Sequence, residues 1–138
     1  MKQALILFTR VPAAGKTKTR LLRALSPADC ARAHEAFLRD EFENCRGDFW
    51  DILIFHGKEG PVSVLKSFLP DQNRFFLQTG ETLGEKMDHS IREALGMGYD
   101  RCVLVGADLP ELTGTRIAAA FEALVYIEEL WQMKESVV

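Results

Sequence analysis

Cysteine is scarce in this chain. Cys30, Cys45 and Cys102 are an odd number, and no CxxC pair occurs, which excludes a disulfide framework and a cysteine-built zinc site. Three histidines, His34, His56 and His89, form no HxH or HExxH pattern. No apolar run approaches the ~20 residues that cross a bilayer. The apolar stretch at the N-terminus is too short for a secretion signal and is followed by no cleavage site. These features predict a soluble protein of a reducing compartment, the cytoplasm. Excess charge of one sign is also missing: 17 Lys and Arg against 20 Asp and Glu leave a net charge of −3. That balance speaks against nucleic acid or an acidic membrane surface as the partner. Repeats, linkers and low-complexity stretches are absent.

What is present is enough for one folded domain. The 138 residues are 47% apolar and 27% charged, the composition of a chain with a real core. A continuous apolar run from Ala4 to Phe8 reads as a strand covered on both faces, spanning about residues 3–9. Ser26 as N-cap and Pro27 at the first helical position open a helix. Its expected apolar positions are Ala31, Ala36, Phe37 and Phe42. Trp50–Phe55 reads as a second strand, and Pro61–Phe68 as a short helix. Arg74–Gln78 reads as a third strand. Thr82 caps a helix over about 83–95 with Leu83, Met87, Ile91, Ala94 and Leu95 as its apolar stripe. Arg101–Gly106 is the fourth strand. A last helix starts near Thr113 or Thr115, with Ile117, Ala120, Phe121, Leu124, Ile127 or Glu128, Leu130 and Trp131 in helical period. Strand and helix alternate four times, which predicts an α/β fold: a doubly wound, mostly parallel sheet of order 3-2-1-4.

Chemistry concentrates where strands end. The first strand exits into Thr9-Arg10-Val11-Pro12-Ala13-Ala14-Gly15-Lys16-Thr17-Lys18-Thr19-Arg20. The string resembles a Walker A loop but has Arg10 where the first glycine belongs, and Pro12 removes a backbone donor. A side-chain reading fits better. Arg10 and Arg20 can grip phosphate bidentately, Lys16 and Lys18 act as point charges, and Gly15 lets the backbone pass close to a ligand. By itself the segment reads more readily as a solvated basic loop. After the fourth strand comes Gly106-Ala107-Asp108-Leu109-Pro110-Glu111-Leu112. Asp108 reads either as a ligand of Mg²⁺ or Mn²⁺, which take one or two carboxylates plus substrate phosphates, or as a turn aspartate capping the next helix. Order 3-2-1-4 makes the first and fourth strands neighbours, so both loops would face one crevice. A third segment, Gln78 to Met87, places Gly80 and Gly84 around a helix start. Glu81 and Glu85 read as surface residues, His89 as a helix-surface residue and Cys102 as core.

In this order the three segments resemble the small bacterial nucleotide-diphospho-sugar transferase-like proteins, the radical-SAM/selenodomain-associated glycosyltransferase type. Arg10, Pro12, Gly15, Lys18, Thr19, Arg20 and Leu21 carry the first motif. Gln78, Leu83, Gly84 and Met87 carry the second, and Gly106, Asp108, Pro110 and Leu112 the third. The likeness covers about residues 1–124. It implies the Rossmann-like half of a GT-A-type fold and a nucleoside-diphosphate-sugar donor. The nucleotide would be held by Arg10, Gly15, Lys16, Lys18, Arg20, Gln78 and Gly84. Asp108 would be the catalytic residue and the ligand of Mg²⁺ or Mn²⁺. Related nucleotidyltransferases share this half-fold, so nucleotide transfer and non-catalytic nucleotide binding stay open beside glycosyl transfer, with a P-loop phosphotransferase behind them. Residues 125–138 match nothing in the pattern. They read as a divergent helical tail on a 1–124 donor-binding domain, a truncated or altered end where the family carries its acceptor half. The expectation is donor binding with compromised catalysis, and a homodimer through the C-terminal helix if Ile127, Leu130 and Trp131 do not cover the fourth strand.

Overall fold

A computed structural model describes residues 2–13, 24–72, 74–107 and 113–137, with side chains described as far as Glu128. Four strands and four helices alternate. They are β1 (Gln3–Thr9), α1 (Pro27–Asn44), β2 (Asp51–His56), α2 (Val62–Phe68), β3 (Phe75–Leu77), α3 (Leu83–Gly96), β4 (Arg101–Gly106) and α4 (Gly114–Val137). The sheet is parallel throughout and ordered β3-β2-β1-β4. In register, Phe8 of β1 stands beside Phe55 of β2 on one side and Gly106 of β4 on the other.

Strand alternation sends successive side chains to opposite faces. Leu7 and Ile54 pack with Leu38 and Phe42 of α1 and with Leu65 and Phe68 of α2. Leu5 packs on that same face with Ile117 and Phe121 of α4. Ala4, Ile6, Phe8, Leu53 and Phe55 face the other way, onto Ala94 and the partly buried Met87 and Ile91 of α3. This division follows from handedness. The chain moves outward from β1 to β3 through α1 and α2, then reverses and crosses back to β4, so a right-handed connection puts α3 on the opposite face. The reversal point lies between β1 and β4.

The helices start as their sequences predict. The Ser26 hydroxyl accepts from Asp29 N with Pro27 at the first helical position, and Thr82 and Glu85 form a reciprocal capping box. Some expected stripes differ. In α1 the buried positions are Cys30, His34, Leu38, Glu41 and Phe42, whereas Phe37 is 51% exposed. The step of three and four is kept, but two polar residues occupy it. In α3, Leu83 and Leu95 are exposed, leaving Met87, Ile91 and Ala94 to pack. In α4, Ile127 and Glu128 are both exposed, and the Glu128 carboxylate reaches back to Arg101 of β4, only 9% exposed, which donates through Nη2 to Glu128 Oε2 at 2.7 Å and through Nε to Oε1 at 3.1 Å. Ile127 therefore does not cover β4; an ion pair stands at that position, continuing the Ile117–Phe121–Leu124 stripe. The side chains of Leu130 and Trp131 lie outside the described residues, and α4 runs unbroken across residues 124 and 125.

Two buried acids give the fold an alkaline limit. Burial, with Glu41 nearby, pushes the Cys45 thiol up to about 12. Burial, and a hydroxyl that donates to Asp51 Oδ2 at 2.7 Å, pushes Tyr99 up to about 12 as well. Each keeps its proton longer in the folded than in the unfolded chain. The stability they contribute is therefore intact below their ordinary values of 9.0 and 10.0 and is lost as pH rises toward 12. Urea midpoints are expected to fall steadily above pH 9, and Cys45→Ala to flatten the first part of that fall. Equal slopes in the two proteins would contradict the assignment.

Candidate functional site

The carboxyl ends of β1 and β4 open into a cleft of ≈ 640 Å³, within the 300–1,000 Å³ typical of small-molecule sites. It sits at the reversal point of the sheet, where ligands of doubly wound folds bind. Thr9 and Arg10 enter it from β1, Gly106 and Ala107 from β4, Gln78 from the end of β3, and Lys86 from the first turns of α3. Phe8, Leu104, Leu83 and Met87 supply the apolar wall. Exposure of Leu83, costly for a core stripe, is what that wall requires.

Gln78 is fixed from three directions. Its main-chain N–H donates to His56 O at 2.8 Å. Its side-chain Nε2 donates to Phe55 O at 2.9 Å and to Thr9 O at 3.2 Å, bridging the ends of β2 and β1. The loop behind it is shaped by Gly80, whose φ of +132° is a backbone state that other residues rarely adopt. A Cβ there would also stand 3.0 Å from Lys86 N.

Arg10 reaches the cleft with its Nε 4.0 Å from Glu59 Oε1, and Glu59 Oε2 accepts from Val11 N at 3.3 Å. Glu59 thus holds the beginning of the basic loop against the connection that follows β2. The Thr9 hydroxyl donates to Arg10 O at 2.9 Å and lies 3.5 Å from His34 Nε2, so the buried His34 of α1 reaches the same rim.

Of the site residues expected from sequence, Arg10 and Gln78 are brought together. Gly84 lies in the first turn of α3 and is not part of the cleft lining. Gly15, Lys16, Lys18, Arg20 and Asp108 lie outside the described residues. Their segments adjoin the cleft in sequence, since 14–23 follows Ala13 and 108–112 follows Ala107.

Sequence reasoning missed Lys86, Glu59 and His34. Lys86 had a signal. A lysine in the first turns of a helix opposes the helix dipole, and here it has no ion pair among the described residues. Glu59 stands between Gly57 and Gly60 at a strand exit, on the same sheet edge as Arg10. His34 keeps the core period of α1, visible only if a polar residue is allowed on that stripe. Among the described residues no cluster of three or more His, Cys, Asp or Glu is placed to hold a metal ion, and no helix is long and apolar enough to cross a membrane.

Among curated proteins none matches the chain. Among solved structures it is similar to the crystal structure of a putative nucleotide-diphospho-sugar transferase from Desulfovibrio desulfuricans G20. The identity is 30% and the TM-score 0.81 over 90% of this chain. The chain spans 55% of that protein's length. Residues 41–128 match the family described as "Uncharacterized protein conserved in bacteria (DUF2064)". With more than half of its length matched, the chain belongs to the DUF2064 family.

Proposed function

We propose that the cleft binds a nucleoside-diphosphate-sugar donor, and that this chain supplies the donor side of a glycosyltransferase. The observation that carries the reading is the parallel pairing of β1 with β4, which starts the basic loop and the Asp108 loop from one cleft. The structural likeness to a nucleotide-diphospho-sugar transferase supports it. In this reading the apolar wall takes the nucleoside. The diphosphate meets Arg10, Lys86 and the cations Lys16, Lys18 and Arg20.

Glycosyl transfer forms a bond from an acceptor oxygen to the anomeric carbon and breaks the bond to the diphosphate, which leaves with the electron pair. The charge that builds on the departing oxygens is what the cationic loop would stabilise, usually the largest single contribution to such catalysis. Asp108 and the donor's own phosphate oxygens would hold a Mg²⁺ or Mn²⁺ ion. Such ions need no protein cage when the substrate provides oxygens, and the ion would add further charge neutralisation. Arg10 would offer its guanidinium to the phosphates from beside Glu59, whose Oε1 lies 4.0 Å from Arg10 Nε.

A thermal-shift panel of UDP-, GDP-, CDP-, dTDP- and ADP-sugars, with and without Mn²⁺, tests this. A ligand at 100 times its Kd stabilises a fold by about 2.7 kcal/mol. At least one donor is expected to do so, with the shift reduced by Arg20→Ala and its Mn²⁺ dependence removed by Asp108→Asn. No shift with any donor would refute the reading.

A further inference from the structure

The two edges of the sheet are built differently. β3 is three residues long, too short to template another strand well. β4 is six residues long, and among the described residues no strand pairs its outer edge. From Cys102 to Gly106 it carries no charge and no proline, the usual guards of an exposed edge. Its one cation, Arg101, is already paired with Glu128. Cover is incomplete as well: Ala4–Leu7 of the neighbouring β1 are fully buried, whereas Cys102–Gly106 are only half-buried. Helix α4 leaves a matching gap. Ile117, Phe121 and Leu124 pack with Leu5, Val103 and Val105, so the helix lies over the groove between β1 and β4. It runs antiparallel to β4, from beyond the carboxyl end of that strand back to Glu128 beside Arg101. Phe121 leans toward β2, stacking on Trp50 at 5.7 Å. A right-handed helix so placed turns Ala120, Ala123 and Ile127 to the other flank, beside the open edge. Ala123 is exposed there, and Ile127 is 58% exposed.

We propose that this flank is the interface of a homodimer, in which β4 pairs antiparallel with β4 of a second copy and joins two four-stranded sheets into one. A two-fold axis perpendicular to the sheet generates the pairing. It gives the outer main-chain donors and acceptors of β4 their partners, and it sets the two α4 helices side by side on one face. The spacing fits. Strands lie about 4.8 Å apart, so a helix over the β1–β4 groove stands about 5 Å from the axis and about 10 Å from its mate, close to the 8–10 Å at which helices pack. The level fits too. Seven residues back from Glu128, α4 has climbed about 10 Å, the rise of roughly three strand residues, so Ala120 and Ala123 stand level with Leu104 near the middle of β4. Small side chains at that point let the helices meet. The flank is about 20 Å long and roughly 30 Å deep through α3, the sheet and α4. That is about 600 Å² on each copy and about 1,200 Å² in total, where stable specific interfaces begin. A second copy suits this edge because a two-fold brings each residue near its own mate, and an uncharged edge meets itself without like-charge repulsion. The two clefts then open toward opposite ends of the joined sheet, and the dimer does not depend on donor binding.

Sedimentation equilibrium across the micromolar range tests this. The chain is expected at twice 15.5 kDa, dissociating on dilution. Ala123→Arg places a charge on the flank and should weaken dimerisation by about tenfold or more. Ala119→Arg, on the side of α4 that faces away from the sheet, should leave it unchanged. Both alanines are exposed in the protomer, so both variants should keep the wild-type circular dichroism. Hydrogen exchange reads the strand itself: the outer amides of β4 should exchange slowly in the dimer and lose that protection in Ala123→Arg, while those of β1 stay protected in both. A monomer at every concentration overturns the proposal. So does a dimer indifferent to Ala123→Arg, or one whose β4 amides exchange as fast as those of the diluted monomer, which would place the contact elsewhere.

Discussion

Phe55→Ala is expected to cost about 3–5 kcal/mol, the range for removing a large buried aromatic. Phe55 is fully buried and central to an aromatic row that crosses three strands. Its ring stacks on Phe76 of β3 at 5.0 Å and lies 6.3 Å from Phe8 of β1. The register places Phe8, Phe55 and Phe76 side by side on the α3 face. Each aromatic pair adds roughly 0.5–1.5 kcal/mol beyond burial, so the truncation leaves a cavity and breaks two ring contacts together. Small domains have only about 5–15 kcal/mol to lose. The urea midpoint should drop sharply with an unchanged m-value. A loss under about 1 kcal/mol would mean that the row is not packed as described. The site should suffer as well, because the Phe55 carbonyl is one of the two that hold the Gln78 amide.

That row shows how far the sequence could be read. The strands were legible because Ala4–Phe8 and Cys102–Val105 are apolar runs with no polar interruption, which only a doubly covered parallel strand tolerates. The caps were legible because Ser26 and Thr82 carry local hydrogen-bonding chemistry that needs no tertiary partner. The order of the sheet followed from handedness. What stayed hidden depends on which face of a helix meets the sheet. Phe37 and Leu83 look like core by residue type, yet both are exposed, while His34 and Glu41 look like surface and are buried. Side-chain type and helical phase disagree at these positions, and packing decides. In the site, Arg10 could be named because it stands at a strand exit, and Gln78 because the family resemblance carries it. Lys86 was passed over although its place in the first turns of α3, against the helix dipole, was visible, because a lysine on a helix reads as a solvated face until the cleft beside it is seen.

Lys86→Glu is expected to move stability and ligand binding in opposite directions. Lys86 sits near the N-terminal end of α3, beside a cleft that it lines without an ion pair among the described residues. Positive charge at the start of a helix opposes the macrodipole, and negative charge there is favourable by about 0.3–1 kcal/mol. Reversal should therefore raise the thermal midpoint of the unliganded protein by a few degrees, since roughly 1 kcal/mol corresponds to about 2–8 °C across domains of this order of size. A lysine kept where it weakens its own helix needs a compensating role, and an anion in the cleft supplies one. Hydrogen bonds to charged groups contribute about 1.5–3 kcal/mol, and the reversed charge adds repulsion to the loss. Affinity for a nucleoside diphosphate should fall by about 100-fold, as every 1.4 kcal/mol is a factor of ten. Lys86→Met separates the two contributions: it removes the attraction without the repulsion, and its affinity should lie between the other two. A variant that gains stability and keeps its affinity would show that the cation serves neither the helix nor the ligand. The diphosphate would then have to be held by Arg10 and the loop after β1 without help from α3.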